Sequence, residues 1–304
     1  MKRSFHSYGK LLLSGEYVVL DGALALSIPT KLGQQLHVQQ SEKAALTWQS
    51  KNAQGAIWYE ETFELQDDQL SSTDPESSNK LLLELLKTAL KLNPDFKESL
   101  QHCHCESVLE FEQHWGLGSS STLINNIAHW AEVDAFELSD KTLGGSGYDI
   151  AAAQHPSPLL YQLNGSDRYI TPLSINWEFT EQLYFVHLNQ KQDSRAGIKH
   201  YRAIEDPMIK QGAIQEISGL TEAMLKASSL KELEDLMDAH EGIISDLLSI
   251  PTVKKRLFND YPNSIKSLGA WGGDFMMVSG TESDMTYFKE KGYHTIISFD
   301  DMIA

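Results

Sequence analysis

The chain has 304 residues, 42 acidic and 25 basic, for a formal net charge of −17, and 41% of it is apolar. That balance argues against nucleic acid, whose phosphates need a basic footprint, and against anionic membrane surfaces. Small anionic substrates stay compatible with it, because a local cationic pocket survives inside an acidic field.

At roughly 150 residues per domain the length predicts two lobes. No apolar run reaches the roughly 18 residues of a membrane span. The start, basic and then apolar, is interrupted at Gly15 and Glu16 with no small-residue cleavage site after it, so no signal peptide is expected. Two cysteines make no disulfide framework. A cytoplasmic location is the expectation.

In chain order, Leu11-Leu12-Leu13 reads as strand and Tyr17 to Leu20 as β-rich. Asp21-Gly22 is a turn pair, and Ala23 to Ile28 is an apolar strand ending at Pro29. Weak alternation marks strands at 35–40, 45–48 and 57–65. A polar loop covers 71–79. Leucines at 81, 82, 85, 86 and 90 predict an amphipathic helix over 80–92. The run Gln101-His-Cys-His-Cys105 invites a metal reading. On one strand, however, His102 and His104 face one way and Cys103 and Cys105 the other, so an ordinary strand is expected. A strand follows over 108–112.

Gly116-Leu-Gly-Ser-Ser-Ser-Thr122 then opens a helical pattern with Leu123, Ile127, Trp130 and Ala131 on one face. Gly144-Gly-Ser-Gly-Tyr-Asp-Ile runs into Ala151 to Ala153. Strands are expected at 159–163, 169–173 and 183–188, and helices at about 205–227 and 230–248. Pro251 begins a short helix. Residues 264–279 hold a third glycine-rich turn leading into a strand; 285–291 is helical and 295–299 closes the chain as a strand. The mixture is α+β, with a helix-rich second lobe.

Three glycine-rich segments carry the chemistry. In the middle one, glycines allow close backbone approach and positive φ. Serines can cap the next helix, and that helix's unpaired N–H groups favour phosphate. It is neither a Walker A loop, lacking Lys-Ser/Thr, nor a Rossmann fingerprint, lacking the third glycine. A serine-capped tight turn is the competing reading. The third segment, Lys266 to Phe275, could wrap phosphate oxygens or form a hairpin. In the first, Lys10 either balances anionic charge in a cleft or is solvated. Asp149, straight after three glycines, is the candidate catalytic base; it also suits the N-cap of a helix starting near Ile150.

Taken together and in this order, GKLLLSGEYVVLDGALALSIP, GLGSSST and LGAWGGDF resemble the three motifs of the GHMP kinase superfamily. GSGYDIAAA is similar to the stretch that bears the catalytic aspartate in phosphomevalonate kinases, with mevalonate kinases the nearest rival. The resemblance implies a two-lobed GHMP kinase fold, with an N-terminal mixed α+β nucleotide-binding lobe (1–178) and a C-terminal ferredoxin-like α+β lobe (179–304). It implies ATP and Mg²⁺ as cofactors and transfer of the γ-phosphoryl to a small anionic acceptor. The best single acceptor is 5-phosphomevalonate. Mevalonate, another sugar or amino-acid substrate, and an inactive GHMP-fold binding protein are the alternatives. The oligomeric state is left open, a homodimer included.

Residue by residue, the resemblance gives Lys10 the neutralisation of charge near Asp149 and the acceptor. Asp149 takes the acceptor proton or orients that oxygen. Gly116, Leu117, Gly118, Ser119, Ser120, Ser121 and Thr122 cradle ATP phosphates, with Ser120 as Mg²⁺ ligand. Gly269, Gly272 and Gly273 shape the third motif around the phosphates. Glu16, Ser146, Gly147, Tyr148, Ser194, Arg195 and His240 lie toward the acceptor, His240 being equally readable as a helix-surface histidine. Arg195, Lys199 and Arg202 bind a substrate anion or form a solvated basic face. Lys191 is expected with them at the cleft. Trp271 stands where the family has glycine, which puts a bulky ring where backbone approaches the nucleotide. The second metal carboxylate is sought among Glu132, Asp134 and Glu137.

Overall fold

The structure, a computed structural model, describes residues 2–67, 69–74, 76, 79–190, 194–269 and 271–304, the side chain of Ser194 excepted. Lys191 lies outside the described residues.

In chain order the first half runs β1 (Lys2–Ser14), β2 (Ala25–Gln40), β3 (Leu46–Lys51), β4 (Ile57–Gln66), β5 (Gln69–Ser72), α1 (Lys80–Leu92), α2 (Lys97–Leu100), β6 (Cys103–Leu109), α3 (Ser119–Ala131), α4 (Ala135–Asp140) and α5 (Tyr148–Gln154). The second half runs β7 (Leu159–Asn164), β8 (Asp167–Pro172), β9 (Leu183–His187), α6 (Ser194–Arg202), α7 (Pro207–Leu225), α8 (Leu230–Leu248), α9 (Val253–Leu257), β10 (Ile265–Ser267), β11 (Phe275–Ser279), α10 (Thr286–Glu290), β12 (Ile296–Ser298) and α11 (Phe299–Met302). Helix α1 has the predicted bounds, because its leucine spacing is unambiguous and the Asn79 side chain caps it, accepting from the N–H groups of Leu81 and Leu82.

The chain forms two compact units. The first holds residues up to Gly9, Leu32–Gln113 and Leu117–Gln154. Its strands lie in the order β5-β4-β3-β6-β2, with β3 and β6 parallel and the other pairs antiparallel. Alternation buries Leu46, Trp48, Phe63, Cys103, Cys105 and Leu36 on one face. Against that face pack Leu82, Leu85, Leu86 and Ala89 of α1 and Ile124, Ile127 and Trp130 of α3.

The second unit holds Lys10–Lys31, His114–Gly116 and His155–Ala304. Here the first part of β2 pairs with β7 and β7 with β8, while β10-β11-β9-β12 form a separate four-stranded antiparallel sheet. Two clusters make its core. Val186, Phe258, Tyr261, Met276, Val278 and Phe288 belong to one. Tyr17, Val18, Tyr201, Ile217, Ile244, Leu247 and Trp271 belong to the other.

Three expectations change. Residues Val18–Asp21 form a 3₁₀ turn rather than a strand, because Gly15 and Gly22 flank them at φ +103° and +94° and bend the chain. Pro29 does not end β2: it gives up only a donor, and its carbonyl accepts from the Ala304 N–H at 3.2 Å. A helix, α6, begins already at Ser194, where none was expected before about residue 205.

Candidate active site

In the first unit the middle glycine segment turns directly into α3. Gly118 is the N-cap, in left-handed conformation at φ +89°, and no side chain caps the helix. The first ladder bond runs from the Thr122 N–H to the Gly118 carbonyl at 3.0 Å, so the N–H groups of Ser119, Ser120 and Ser121 precede the ladder. Two of the hydroxyls turn inward. Ser121 Oγ donates to the Gly118 carbonyl, and Thr122 Oγ1 to Gln34 Oε1 at 2.6 Å. Ser120 is exposed and makes no side-chain hydrogen bond among the described residues. Leu117 is fully buried and anchors the turn. Three unspent N–H groups, a helix dipole and an outward hydroxyl are the donor set that polyphosphate and a hard cation take. The serine-capped-turn reading fails here, since the cap is glycine.

What fixes α3 is polar as well as apolar. Asn126, fully buried, accepts from Ser7 Oγ at 2.8 Å and donates to the Gln34 carbonyl at 2.9 Å. Asn125 donates to Ser7 Oγ at 2.9 Å and accepts from Gln154 Nε2 at 3.2 Å. These bonds tie α3 to β1, β2 and α5. Helix α5 begins at Tyr148, two residues earlier than expected, so Asp149 lies in its first turn, two positions past the N-cap, with Oδ1 accepting from the Ile150 N–H at 3.1 Å. Gly147 precedes it at φ +88°, and Ser146 is buried.

The three carboxylates considered for a second metal ligand sit at the wrong end of α3. A 13-residue helix is about 20 Å long at roughly 1.5 Å per residue. Glu132 is its C-cap and pairs with Arg3 at 3.5 Å. Asp134 caps α4, and Glu137 pairs with Lys141 at 3.6 Å.

In the second unit the first and third glycine segments come together. Trp271 donates its backbone N–H to the Tyr17 hydroxyl at 3.1 Å. A methyl group built on Gly269 would lie 4.0 Å from Lys10 Nζ, and one on Gly272 would lie 3.1 Å from an Arg256 guanidinium nitrogen. Gly273 is buried beside them. Gly116 must be glycine: its φ is +70°, and a Cβ there would sit 2.3 Å from the Asp274 carboxyl carbon. The Trp271 ring is 3% exposed and packs inward among Tyr17, Tyr201, Ile217 and Ile244. It therefore does not project from the third segment, as the substitution for glycine suggested.

Behind these segments lies a fully buried ion cluster. Lys266 Nζ donates to Glu16 Oε1 at 2.6 Å, and Glu16 Oε2 lies 3.0 Å from His240 Nε2. Glu241 sits 4.0 Å from Lys266. It accepts from the Trp271 indole N–H at 3.0 Å and from Ser267 Oγ at 3.1 Å. Burial alone would raise Glu16, but Lys266 and His240 overcome it and hold the carboxyl at about 2. Burial lowers His240 and pushes Glu241 up to about 7, against the pull of Lys266. Glu16 and His240, expected toward the acceptor, thus meet each other and Lys266 and have no exposed surface. Sequence reading missed Lys266 and Glu241. Glu241 had a signal: Leu233, Met237, His240, Glu241, Ile244, Leu247 and Leu248 share the buried face of α8, a helical spacing that places a carboxylate among apolar residues. On α6, Arg195 and Lys199 are exposed, and Arg202 is paired with Asp21.

No protein-family model matches the sequence, and no curated protein matches it. Solved structures do. Phosphomevalonate kinase of Streptococcus pneumoniae, in complex with phosphomevalonate and AMPPNP, is 15% identical over 97% of this chain and 99% of its own, with a TM-score of 0.71. Mevalonate kinase of L. major, in complex with R-mevalonate, is 16% identical over 97% and 94%, with a TM-score of 0.67. Galactokinase of Lactococcus lactis, complexed with galactose, is 13% identical over 95% and 88%, with a TM-score of 0.68. The fold is that of the GHMP kinases. The α+β class and this fold, both expected from the three motifs, hold over nearly the whole chain. Among the described residues no helix is long and apolar enough to cross a membrane.

Proposed function

We infer that the protein is an ATP-dependent small-molecule kinase that transfers the γ-phosphoryl to a mevalonate-pathway acceptor, with 5-phosphomevalonate as first choice. One observation carries the reading. In a chain with the GHMP kinase fold, the segment Gly116–Thr122 opens α3 with three N–H groups outside the ladder and the Ser120 hydroxyl turned outward.

Phosphoryl transfer asks for positioning and for charge stabilisation on the phosphoryl oxygens more than for covalent chemistry. The α3 N-terminus would hold the polyphosphate, and Ser120 would be the protein ligand of Mg²⁺. The ion, when bound, supplies charge neutralisation across the phosphate oxygens. Lys10 places a second cation beside Gly269 of the third segment. With a hydroxyl acceptor, Asp149 removes its proton. With a phosphate acceptor the oxygen is already anionic, and Asp149 orients it.

A coupled ADP-release assay with Mg-ATP against 5-phosphomevalonate, mevalonate, homoserine and galactose tests the reading. Turnover of phosphomevalonate is expected. Turnover of mevalonate alone replaces the first choice with the second. No turnover of any substrate, together with no ATP binding by calorimetry, removes the kinase reading in favour of an inactive binding protein.

A further inference from the structure

Glu241 is not among the residues the kinase reading uses, yet both of its carboxylate oxygens accept a hydrogen bond. Its two oxygens go to two different places, one just before the third glycine segment and one inside it. Oε2 accepts from the Ser267 hydroxyl at the end of β10, and Oε1 accepts from the Trp271 indole. Gly269 at φ +63° lies between the two bonded residues, and Gly272 at φ +93° directly follows the second. Lys10 approaches Gly269, and Arg256 approaches Gly272, from outside.

We propose that Glu241 is the positioning residue of the third glycine segment: its carboxylate clamps Ser267 and Trp271 so that Gly269 and Gly272, beside the clamped residues, keep the backbone conformation that receives ATP phosphates. The ligand half of this rests on the kinase reading; the clamp does not. Two charge-assisted hydrogen bonds in a dry site are strong and directional, and glycines, free to move, need such an external restraint.

The clamp is also titratable. The charged groups facing Glu241 are Lys266 from β10 and Glu16 from the turn after β1, with His240 adjacent on α8. Protonated Glu241 can still bridge, by turning its own hydroxyl to Ser267, but both bonds lose their charge assistance. Glu241→Gln reproduces that neutral arrangement permanently, Glu241→Ala removes it, and Trp271→Phe removes one arm while keeping the packing.

The test measures amide hydrogen exchange and Mg-ATP affinity on the full chain at pH 6 and pH 8. The amides of Ser267–Gly273 should exchange at least about tenfold faster in Glu241→Ala and Trp271→Phe, the scale of one lost hydrogen bond to a charged group. Mg-ATP affinity should fall by a similar factor. Wild type should bind Mg-ATP more weakly at pH 6 than at pH 8, and Glu241→Gln should match the pH 6 value at both. Unchanged exchange in a folded Glu241→Ala variant overturns the clamp; if that variant fails to fold, Trp271→Phe decides in the same way. Faster exchange with unchanged Mg-ATP affinity overturns the ligand half. Faster exchange in a protein whose wild type binds no Mg-ATP leaves the clamp standing and overturns the kinase reading instead.

Discussion

At the scale of single residues, Asp149 and Gly116 make opposite kinds of demand. Asp149 sits in the first turn of α5, partly exposed, two residues after the positive-φ Gly147. A general base contributes about 10²–10⁴-fold. Asp149→Asn should therefore lower turnover by about 100-fold or more with a hydroxyl acceptor, while ATP affinity by calorimetry stays nearly unchanged. A variant with full activity removes Asp149 from the mechanism. Gly116 acts on stability. Gly116→Ala places a methyl group on the Asp274 carboxyl and holds an L-residue at φ +70°, which should cost about 1–3 kcal/mol. A thermal melt against wild type reads it, and an unchanged Tm refutes the contact.

At the scale of elements, the strongest handle on the middle segment is the buried asparagine pair that seats α3. Asn126→Ala would take away the acceptor of the Ser7 hydroxyl proton and the side-chain donor to the Gln34 carbonyl, and unsatisfied buried groups cost about 1–3 kcal/mol each. Denaturant unfolding should show a loss of about 2 kcal/mol or more at constant slope. The sequence pattern announced α3 through Leu123, Ile127 and Trp130 but not through Asn125 and Asn126, because two adjacent amides look like a solvated face until the strands supply their partners. The same limit explains α6. Its nine residues, SRAGIKHYR, are mostly polar and contain a glycine, so no periodicity marks them, whereas the leucines of α1 gave both its ends. The tight turn from Gly116 into α3 was legible because glycine followed by serines has a local cause. The ion cluster was not, because Glu16, His240 and Lys266 are separated by up to 250 positions and nothing local in the sequence pairs them. Trp271 was legible as an oddity, but its direction depends on the acceptor that Glu241 provides.

At the scale of the whole molecule, a chain carrying −17 keeps one lysine fully out of water, and folding stability should follow that choice. Lys266→Met leaves the Glu16 carboxylate buried without its cation. Breaking one side of a buried pair costs about 3–5 kcal/mol, whereas replacing both partners by apolar groups is far milder. Denaturant unfolding at pH 7.5 should rank Lys266→Met well below the double variant Glu16→Met/Lys266→Met. The reverse order would mean that Lys266 contributes by packing its stem rather than its charge. The pH dependence has a defined sign. Glu16, held at about 2, contributes stability that is present above its ordinary value of 4.5 and lost as pH falls through 2. His240, lowered by burial, also loses stability as pH falls below 6.5. Glu241, raised to about 7, runs the other way: its contribution is full below 4.5 and is lost as pH rises through 7. Glu241→Gln should cancel only that last component, about 3 kcal/mol. Its stability relative to wild type should therefore climb between pH 4.5 and pH 7 and then level off. A difference that stays flat across that window would mean that Glu241 titrates at its ordinary value, leaving Lys266 and the two hydrogen bonds to balance its burial in full.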